Sequence, residues 1–226
     1  MMFDRVIKLI GEDNFKKIQD TCVAVVGLGG VGGYAVEALV RSGIGRIILV
    51  DFDKVDITNL NRQIIAVQEN VLKYKTDVME ERIHSISPAC QVIKLQMRLD
   101  SENISELFSY QFDYLIDACD TILVKELLIQ NCLERKIGII SSMGTGNKID
   151  PSSLEVTDIW KTSYDPLAKR IRKYLKDNGI FEKVSVVYSK EQREKFDGDI
   201  PSMVFVPATS GLLCANYVIK EIIRKN

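Results

Sequence analysis

The sequence predicts an α/β protein: a Rossmann-like, mostly parallel sheet with helices on both faces, plus a C-terminal α+β extension with antiparallel strands. Three observations carry this. Strand and helix patterns alternate from Thr21 to Ser142. A glycine-rich turn, Gly27-x-Gly29-x-x-Gly32, joins the first strand pattern to the helix pattern after it. Beyond Gly144-Thr-Gly146 the alternation gives way to period-two stretches and one basic helix pattern.

In chain order, strands fit 21–26, 46–51, 91–97, 113–118 and 137–142, and helices fit 31–42, 70–86, 101–109 and 122–135. The runs 46–51 and 137–142 are nearly continuous aliphatics, as a strand covered on both faces requires. Pro88 stops the second of these helices. Leu154 to Trp160 and Lys183 to Tyr188 alternate like antiparallel strands. Between them Asp165-Pro166 opens a helix over 165–177, with proline in its first turn. Residues 190–202 are polar and read as a loop, and an amphipathic helix from about Ala208 to Arg224 closes the pattern. The expectation is one unit over 1–226, with a nucleotide-binding core at 1–146 and a substrate-side extension at 147–226.

Composition narrows the functional classes. Hydrophobic residues make up 46%, enough for a full core and too many for a disordered chain. Thirty basic residues against 31 acidic ones give a net charge of −1, so no global field favours a polyanion. Cys22, Cys90, Cys119, Cys132 and Cys214 form no C-x-x-C pair, and one histidine accompanies them, which disfavours structural zinc. Three of these cysteines fall in or beside strand patterns, reading as buried thiols of a reducing compartment, hence a cytoplasmic protein. No apolar run reaches the roughly 20 residues that span a bilayer. The opening MMFDRVIKLIGED reads as mature chain, not as a signal peptide.

The chemistry concentrates in residues 25–63. Glycines after the first strand let the backbone approach phosphates, and the next helix aims its N-terminal amides at them. Asp51 ends the second strand, where a ribose hydroxyl would lie. Then Asp53, Asp56, Asn59, Asn61, Arg62 and Gln63 crowd one loop, with Lys75 shortly after. Hydride transfer has little use for such a set. Breaking a triphosphate needs one, because its catalysis is mostly electrostatic. Arg62 can fork onto phosphate oxygens, and Lys75 can add a second charge, unless it is an ordinary exposed helix lysine. Asp120 lies past the strand 113–118 and is a candidate Mg²⁺ ligand or the N-cap of the next helix; Asp117 competes for the metal.

These residues carry a resemblance. Gly27, Gly29, Gly30 and Gly32, then Asp51, Asp53, Asn59, Asn61, Arg62 and Gln63, then Lys75 and the Ile116-Asp-Ala-x-Asp120 strand end, resemble the ubiquitin-activating-enzyme-like adenylyltransferases, the superfamily of thiamine and molybdopterin sulfur-carrier activators. The resemblance covers residues 1–146. One branch, the tRNA threonylcarbamoyladenosine dehydratases, is similar over the rest: Phe3-Asp4-Arg5, Leu9-Ile-Gly-Glu12, Asn147-Lys-Ile-Asp-Pro151, Val156-Thr-Asp158, Asp165-Pro-Leu-Ala168 and Phe205 to Gly211. It implies ATP and Mg²⁺ as cofactors and Arg5, Arg62, Lys75 and Asp120 as catalytic groups. It further implies nucleotide contacts from the glycines, Asp51, Asp53, Asn59, Arg62, Gln63 and Lys75. Arg5 would complete the partner's site in a homodimer, unless it is a solvated terminal residue. The implied reaction adenylates the threonyl carboxylate of the modified tRNA base, after which an intramolecular nitrogen displaces AMP.

Thioester-forming relatives carry a cysteine after the fifth strand, and this chain has none from Leu133 to Leu213. Cys119 reads as a buried small residue. Residues 161–176 hold six basic side chains (Lys161, Lys169, Arg170, Arg172, Lys173, Lys176) against Asp165 alone, and Lys169, Arg172, Lys173 and Lys176 share a helical face that could meet tRNA phosphates. A sulfur-transfer partner protein that feeds the pathway is a further expected partner. Two rival readings stay open: activation of a ubiquitin-like sulfur carrier, and a nicotinamide-dependent dehydrogenase or nucleotide-binding regulator.

Overall fold

A computed structural model of the chain describes residues 2–192, 198 and 200–224. Its centre is a seven-stranded sheet flanked by helices on both faces, the α/β architecture expected. Two short helices, α1 (Asp4–Ile10) and α2 (Glu12–Asp20), precede β1 (Cys22–Val26). There follow α3 (Gly32–Arg41), β2 (Arg46–Val50), α4 (Lys75–Ile86), β3 (Gln91–Leu95), α5 (Ile104–Leu107), β4 (Tyr114–Asp117), α6 (Ile122–Glu134) and β5 (Gly138–Ser142). The extension contributes β6 (Leu154–Asp158), α7 (Pro166–Asp177), β7 (Ser185–Ser189) and α8 (Phe205–Arg224).

Strand order is β3-β2-β1-β4-β5-β7-β6. All neighbours are parallel except β6 and β7, which pair antiparallel. The extension therefore lengthens the same sheet. The chain moves outward from β1 through β2 to β3, then crosses back to β4 on the other side of β1. That reversal opens a crevice at the carboxyl ends of β1 and β4, where sheets of this kind take ligands.

Alternation along β1 supplies both cores. Val23 and Val25 face one side, packed with Ile18, Leu39, Met79 and Val218 of α2, α3, α4 and α8. Cys22, Ala24 and Val26 face the other, with Leu107, Leu128 and Ile171 of α5, α6 and α7.

Several boundaries differ from the sequence expectations. The helix expected at 70–86 begins at Lys75, because Val71–Tyr74 is drawn into backbone bonds with the Asp53–Val55 loop: Val55 N–H to Lys73 O (2.8 Å), Leu72 N–H to Val55 O (2.8 Å) and Lys75 N–H to Asp53 O (3.0 Å). The helix expected at 101–109 is a single turn at Ile104–Leu107, because Asp100 and Asn103 cap each other's backbone ahead of it. The closing helix starts at Phe205, with Pro207 in its first turn, where a missing N–H removes no intrahelical bond. Residues 190–192, 198 and 200–202 carry no helix or strand, as expected of that loop, while 193–197 and 199 lie outside the described residues. Among the described residues, no helix is long and apolar enough to cross a membrane.

Candidate functional site

The crevice holds a cavity of about 380 Å³. Its floor is the turn between β1 and α3. Gly27 has φ +89°, and a Cβ on Gly32 would stand 1.8 Å from Gly27 O, so neither position admits a side chain without rebuilding the turn. With side chains excluded, the backbone of Gly29 and Gly30 lines the cavity directly at the start of α3, where Gly33 and Ala35 N–H are already bonded to Gly29 O (3.1 Å) and Val31 O (3.1 Å).

Asp51 caps the end of β2. Its Oδ2 accepts from Leu28 N–H (2.6 Å) and its Oδ1 from Asp53 N–H (2.8 Å), so one carboxylate braces both the glycine turn and the polar loop. Burial raises its pKa, incompletely offset by Lys75 and by the Leu28 and Asp53 amides. A ribose hydroxyl at this carboxylate would donate to the ionised form. Nucleotide affinity is therefore expected to hold above this raised pKa and to fall as pH drops through it. Calorimetric titration with ATP from neutral to acidic pH checks this: Asp51→Asn should weaken binding and flatten that dependence.

The polar loop is held from within. Asn59 is buried; its Oδ1 accepts from Asp56 N–H (3.1 Å), and its carbonyl accepts from Gln63 N–H (2.9 Å). Gln63 is buried beside Gly29, and its Oε1 has no partner among the described residues. Lys75 is no exposed helix lysine: it is 5% exposed and pairs with Asp53 Oδ2 at 2.9 Å on the cavity wall. Arg62 is half-buried at the rim, its guanidinium donating to Thr58 O (2.8 Å) and Asn61 Oδ1 (2.8 Å).

The wall opposite is apolar: Phe52, Met97, Leu99, Ala118 and Val124 form a slot that suits a planar base, with the Arg98 guanidinium 5.4 Å from the Phe52 ring centre. None of these was named from sequence. Their signal was positional, since 97–99 follow the carboxyl end of β3.

The two candidate metal carboxylates separate. Asp117 is fully buried, ion-paired with Lys125 Nζ at 3.0 Å and bonded to Ser141 Oγ at 2.5 Å. Asp120 is exposed and lines the cavity. It is not the helix cap either; Thr121 holds that position in α6 and makes no side-chain capping bond. Among the described residues no three His, Cys, Asp or Glu side chains gather as a metal cluster. Asp120 alone fits Mg²⁺ as that ion is usually held beside phosphates, by one or two carboxylates with substrate oxygens and water.

Cys119 is half-buried and lines the cavity, correcting the expectation of a buried residue. Its thiol donates to Asp117 Oδ1 (3.1 Å). Burial and the Asp117 charge push it well above the usual thiol range, which keeps it protonated and a poor nucleophile.

The cavity meets a second one of about 630 Å³, and Val31, Ala118, Cys119, Asp120, Thr145, Gly146 and Ile200 border both. Arg5 is elsewhere: it is exposed on α1 and lines neither cavity. On α7, Lys169, Arg170, Lys173 and Lys176 are exposed, as is Lys161 just before it. Arg172 departs from the expected basic face, because its guanidinium turns in to Thr162 Oγ1 and to Ile159 O.

Fold and site together define an α/β nucleotide-binding protein whose crevice adjoins a second cavity. The ThiF family matches residues 3–226, and the chain belongs to that family. It is 42% identical to the tRNA threonylcarbamoyladenosine dehydratase of Bacillus subtilis (strain 168), over 98% of this chain and 94% of that one. The enzyme of the same name from Escherichia coli (strain K12) is 39% identical over 97% of this chain and 80% of that one. The solved structure of Escherichia coli tRNA N6-threonylcarbamoyladenosine dehydratase in complex with ATP superimposes with a TM-score of 0.94 at 37% identity, covering 99% of this chain and 94% of that one.

Proposed function

We propose that this chain is an ATP-dependent tRNA threonylcarbamoyladenosine dehydratase of the cytoplasm, working through an acyl-adenylate. The observation that carries the reading is the junction of the two cavities: a nucleotide crevice whose phosphate end opens on a separate, mostly apolar chamber. A carboxylate entering from that chamber meets the α-phosphate. Its oxygen forms a bond to the α-phosphorus, the α–β bridging P–O bond breaks, and pyrophosphate leaves with the electron pair. A nitrogen of the same substrate then attacks the acyl carbon, the acyl–oxygen bond to AMP breaks, and the nitrogen's proton passes to solvent. The substrate loses the elements of water, and no enzyme thiolate takes part, in keeping with the protonated Cys119.

In this reading residues 1–146 hold the nucleotide and 147–226 form the substrate side. The glycine turn at the start of α3 cradles phosphates, Asp51 takes the ribose, and Asn59 and Gln63 complete that wall. Arg62 and Lys75 stabilise charge on the transferring and leaving groups, with Asp53 orienting Lys75. Asp120 holds Mg²⁺, which when bound neutralises phosphate charge. The exposed lysines and Arg170 of α7 take tRNA phosphates.

Pyrophosphate release tests the reading against its rival. Purified tRNA bearing the threonylcarbamoyl group should trigger it, whereas a carrier protein ending in Gly-Gly should not; the reverse pattern overturns the proposal.

Arg5 is assigned to the partner's site in a homodimer, because it reaches neither cavity of its own chain. Arg5→Ala and Arg62→Ala should each be impaired, and mixing them should restore activity. Freely exchanging subunits give about half mixed dimers, each with one intact site of two, so recovery should approach a quarter of wild-type activity. Confirmed exchange without recovery would place Arg5 outside the partner's site.

A further inference from the structure

The second cavity has a polarity pattern that the nucleotide site does not explain. Its walls are largely apolar, with Val31, Met143, Leu167 and Ile200 among them, and Tyr164 and Pro166 stand at the start of α7. Four charged side chains line it: Asp120, Lys148, Asp165 and Glu191. Two of the acids are engaged by backbone. Asp165 is the N-cap of α7 and accepts from Ala168 N–H (2.9 Å); Glu191 accepts from Ile149 N–H (3.0 Å) and Asp150 N–H (2.9 Å). Among the described residues, Lys148 is the single cation of the lining.

Its ammonium is held in place. The Lys148 side chain is 11% exposed, and its Nζ donates to Gly144 O at 2.7 Å and to Asp165 Oδ2 at 3.5 Å. An ammonium carries three protons, so one donor remains for a ligand. The contact with Asp165 is long and uses only Oδ2, since Oδ1 serves the helix end, so the ammonium is anchored without all its donors being spent. A mostly apolar chamber bearing one fixed ammonium with a donor to spare suits a ligand that is mostly apolar and planar with a single carboxylate. A chamber of about 630 Å³ lies within the roughly 300–1,000 Å³ range of small-molecule pockets.

We propose that this cavity is the acceptor site for a purine nucleotide bearing an acidic side chain, extruded from its RNA, and that Lys148 selects it by binding the substrate carboxylate oxygen that does not attack phosphorus. The proposal rests on the tRNA-modifying reading and adds the residue that distinguishes a modified base from an unmodified one. Lys148 is thereby a specificity residue, with the α-phosphate chemistry left to the groups of the first cavity. Holding one carboxylate oxygen leaves the other oriented toward the shared border at Asp120 and Thr145.

The test uses anticodon stem-loop RNA in three forms: with the threonylcarbamoyl group, with its carboxylate converted to a neutral amide, and without it. Binding is measured by fluorescence anisotropy in the presence of a non-hydrolysable ATP analogue. Wild type is expected to prefer the acid over the amide by on the order of 10- to 100-fold, the range of a hydrogen bond to a charged group. Lys148→Met should abolish that preference while leaving amide binding and ATP binding as in wild type. If Lys148 merely pinned the 144–148 turn, both RNAs would weaken together and the preference would survive, which overturns the proposal.

Leu167→Trp fills the chamber independently of the lysine. It should reduce both modified RNAs to the affinity of the unmodified one, with ATP binding retained; undiminished binding of the modified forms would place the base elsewhere. The two readings fail separately. Wild-type protein that neither binds the modified RNA nor releases pyrophosphate with it refutes the tRNA reading itself. Wild-type protein active on that RNA, alongside a Lys148→Met variant with full acid preference, refutes the acceptor site alone.

Discussion

Arg62→Ala is expected to slow ATP cleavage to AMP and pyrophosphate by about two orders of magnitude, or roughly 3 kcal/mol of transition-state stabilisation, while leaving the fold intact. The geometry separates the two effects. Arg62 is half-buried at the cavity rim, and its two guanidinium partners, Thr58 O and Asn61 Oδ1, belong to its own loop. Removing it leaves no core void and no buried charge. What disappears is a cation already fixed in orientation, opposite the glycine turn, before any nucleotide arrives. A preorganised cation at a leaving pyrophosphate needs no reorientation in the transition state, and water replaces it poorly. Arg62→Lys should recover little, because an ammonium cannot copy the planar fork. Steady-state pyrophosphate release and thermal unfolding, measured on the same preparations, check both halves. Near wild-type turnover in Arg62→Ala would remove this residue from the mechanism.

The sequence exposed the parts of the site that carry unusual chemistry at short range. Gly27 to Gly32 and Asp51 to Gln63 are contiguous, polar where a surface loop need not be, and placed at strand ends that topology brings together. The second cavity was not legible, because its walls come from Val31, 118–120, 142–148, 164–167, 191–192 and Ile200, segments distant in sequence that the fold brings together. Apolar lining such as Met97 and Leu99 carries no chemical signature that separates it from core. Helical periodicity placed Arg172 on the basic face of α7, but long side chains reorient locally, and Thr162 and Ile159 O captured this one. The same limit hid Lys125. In Ile122-Leu-Val-Lys-Glu-Leu-Leu128 it reads as a solvated position, yet it is 0% exposed. At one strand end Asp120 stood as the metal candidate and Asp117 as its competitor; sheet pairing places them in different environments. Asp117 is the last strand residue, opposite Val26 and Ser141, whereas Asp120 lies beyond the sheet.

That separation gives the largest expected effect on stability. Lys125 Nζ donates to Asp117 Oδ2 (3.0 Å), Ser142 O (2.8 Å) and Ser141 Oγ (3.4 Å), and the pair is wholly inaccessible to solvent. Burial opposes the lysine's charge, but Asp117 more than offsets it, and the net shift of its pKa is upward. Being raised, it gives a contribution that is complete below the unfolded lysine value and lost as pH rises through the folded one, so neutral conditions leave it intact. Lys125→Met removes the ammonium and strands a buried carboxylate, which should destabilise the protein by about 3–5 kcal/mol. Combining Lys125→Met with Asp117→Asn removes the uncompensated charge and should regain part of that loss, a coupling of about 1–3 kcal/mol between touching residues. Asp120→Asn, three residues along and exposed, should leave urea unfolding unchanged and instead impair Mg²⁺-dependent turnover more than nucleotide binding. The buried pair also fixes the backbone that presents Asp120. Asp117 Oδ1 accepts from Cys119 N–H at 3.2 Å, and Ser142, beside the pair, bonds Ser210 of α8 at 2.7 Å between hydroxyl oxygens. Loosening the pair should therefore lower turnover even under conditions where the variant remains folded. Urea denaturation of the three single variants and the double variant, read beside turnover at low denaturant, checks the scheme. Equal stability for Lys125→Met and wild type would show that the network is not holding the border between the two cavities.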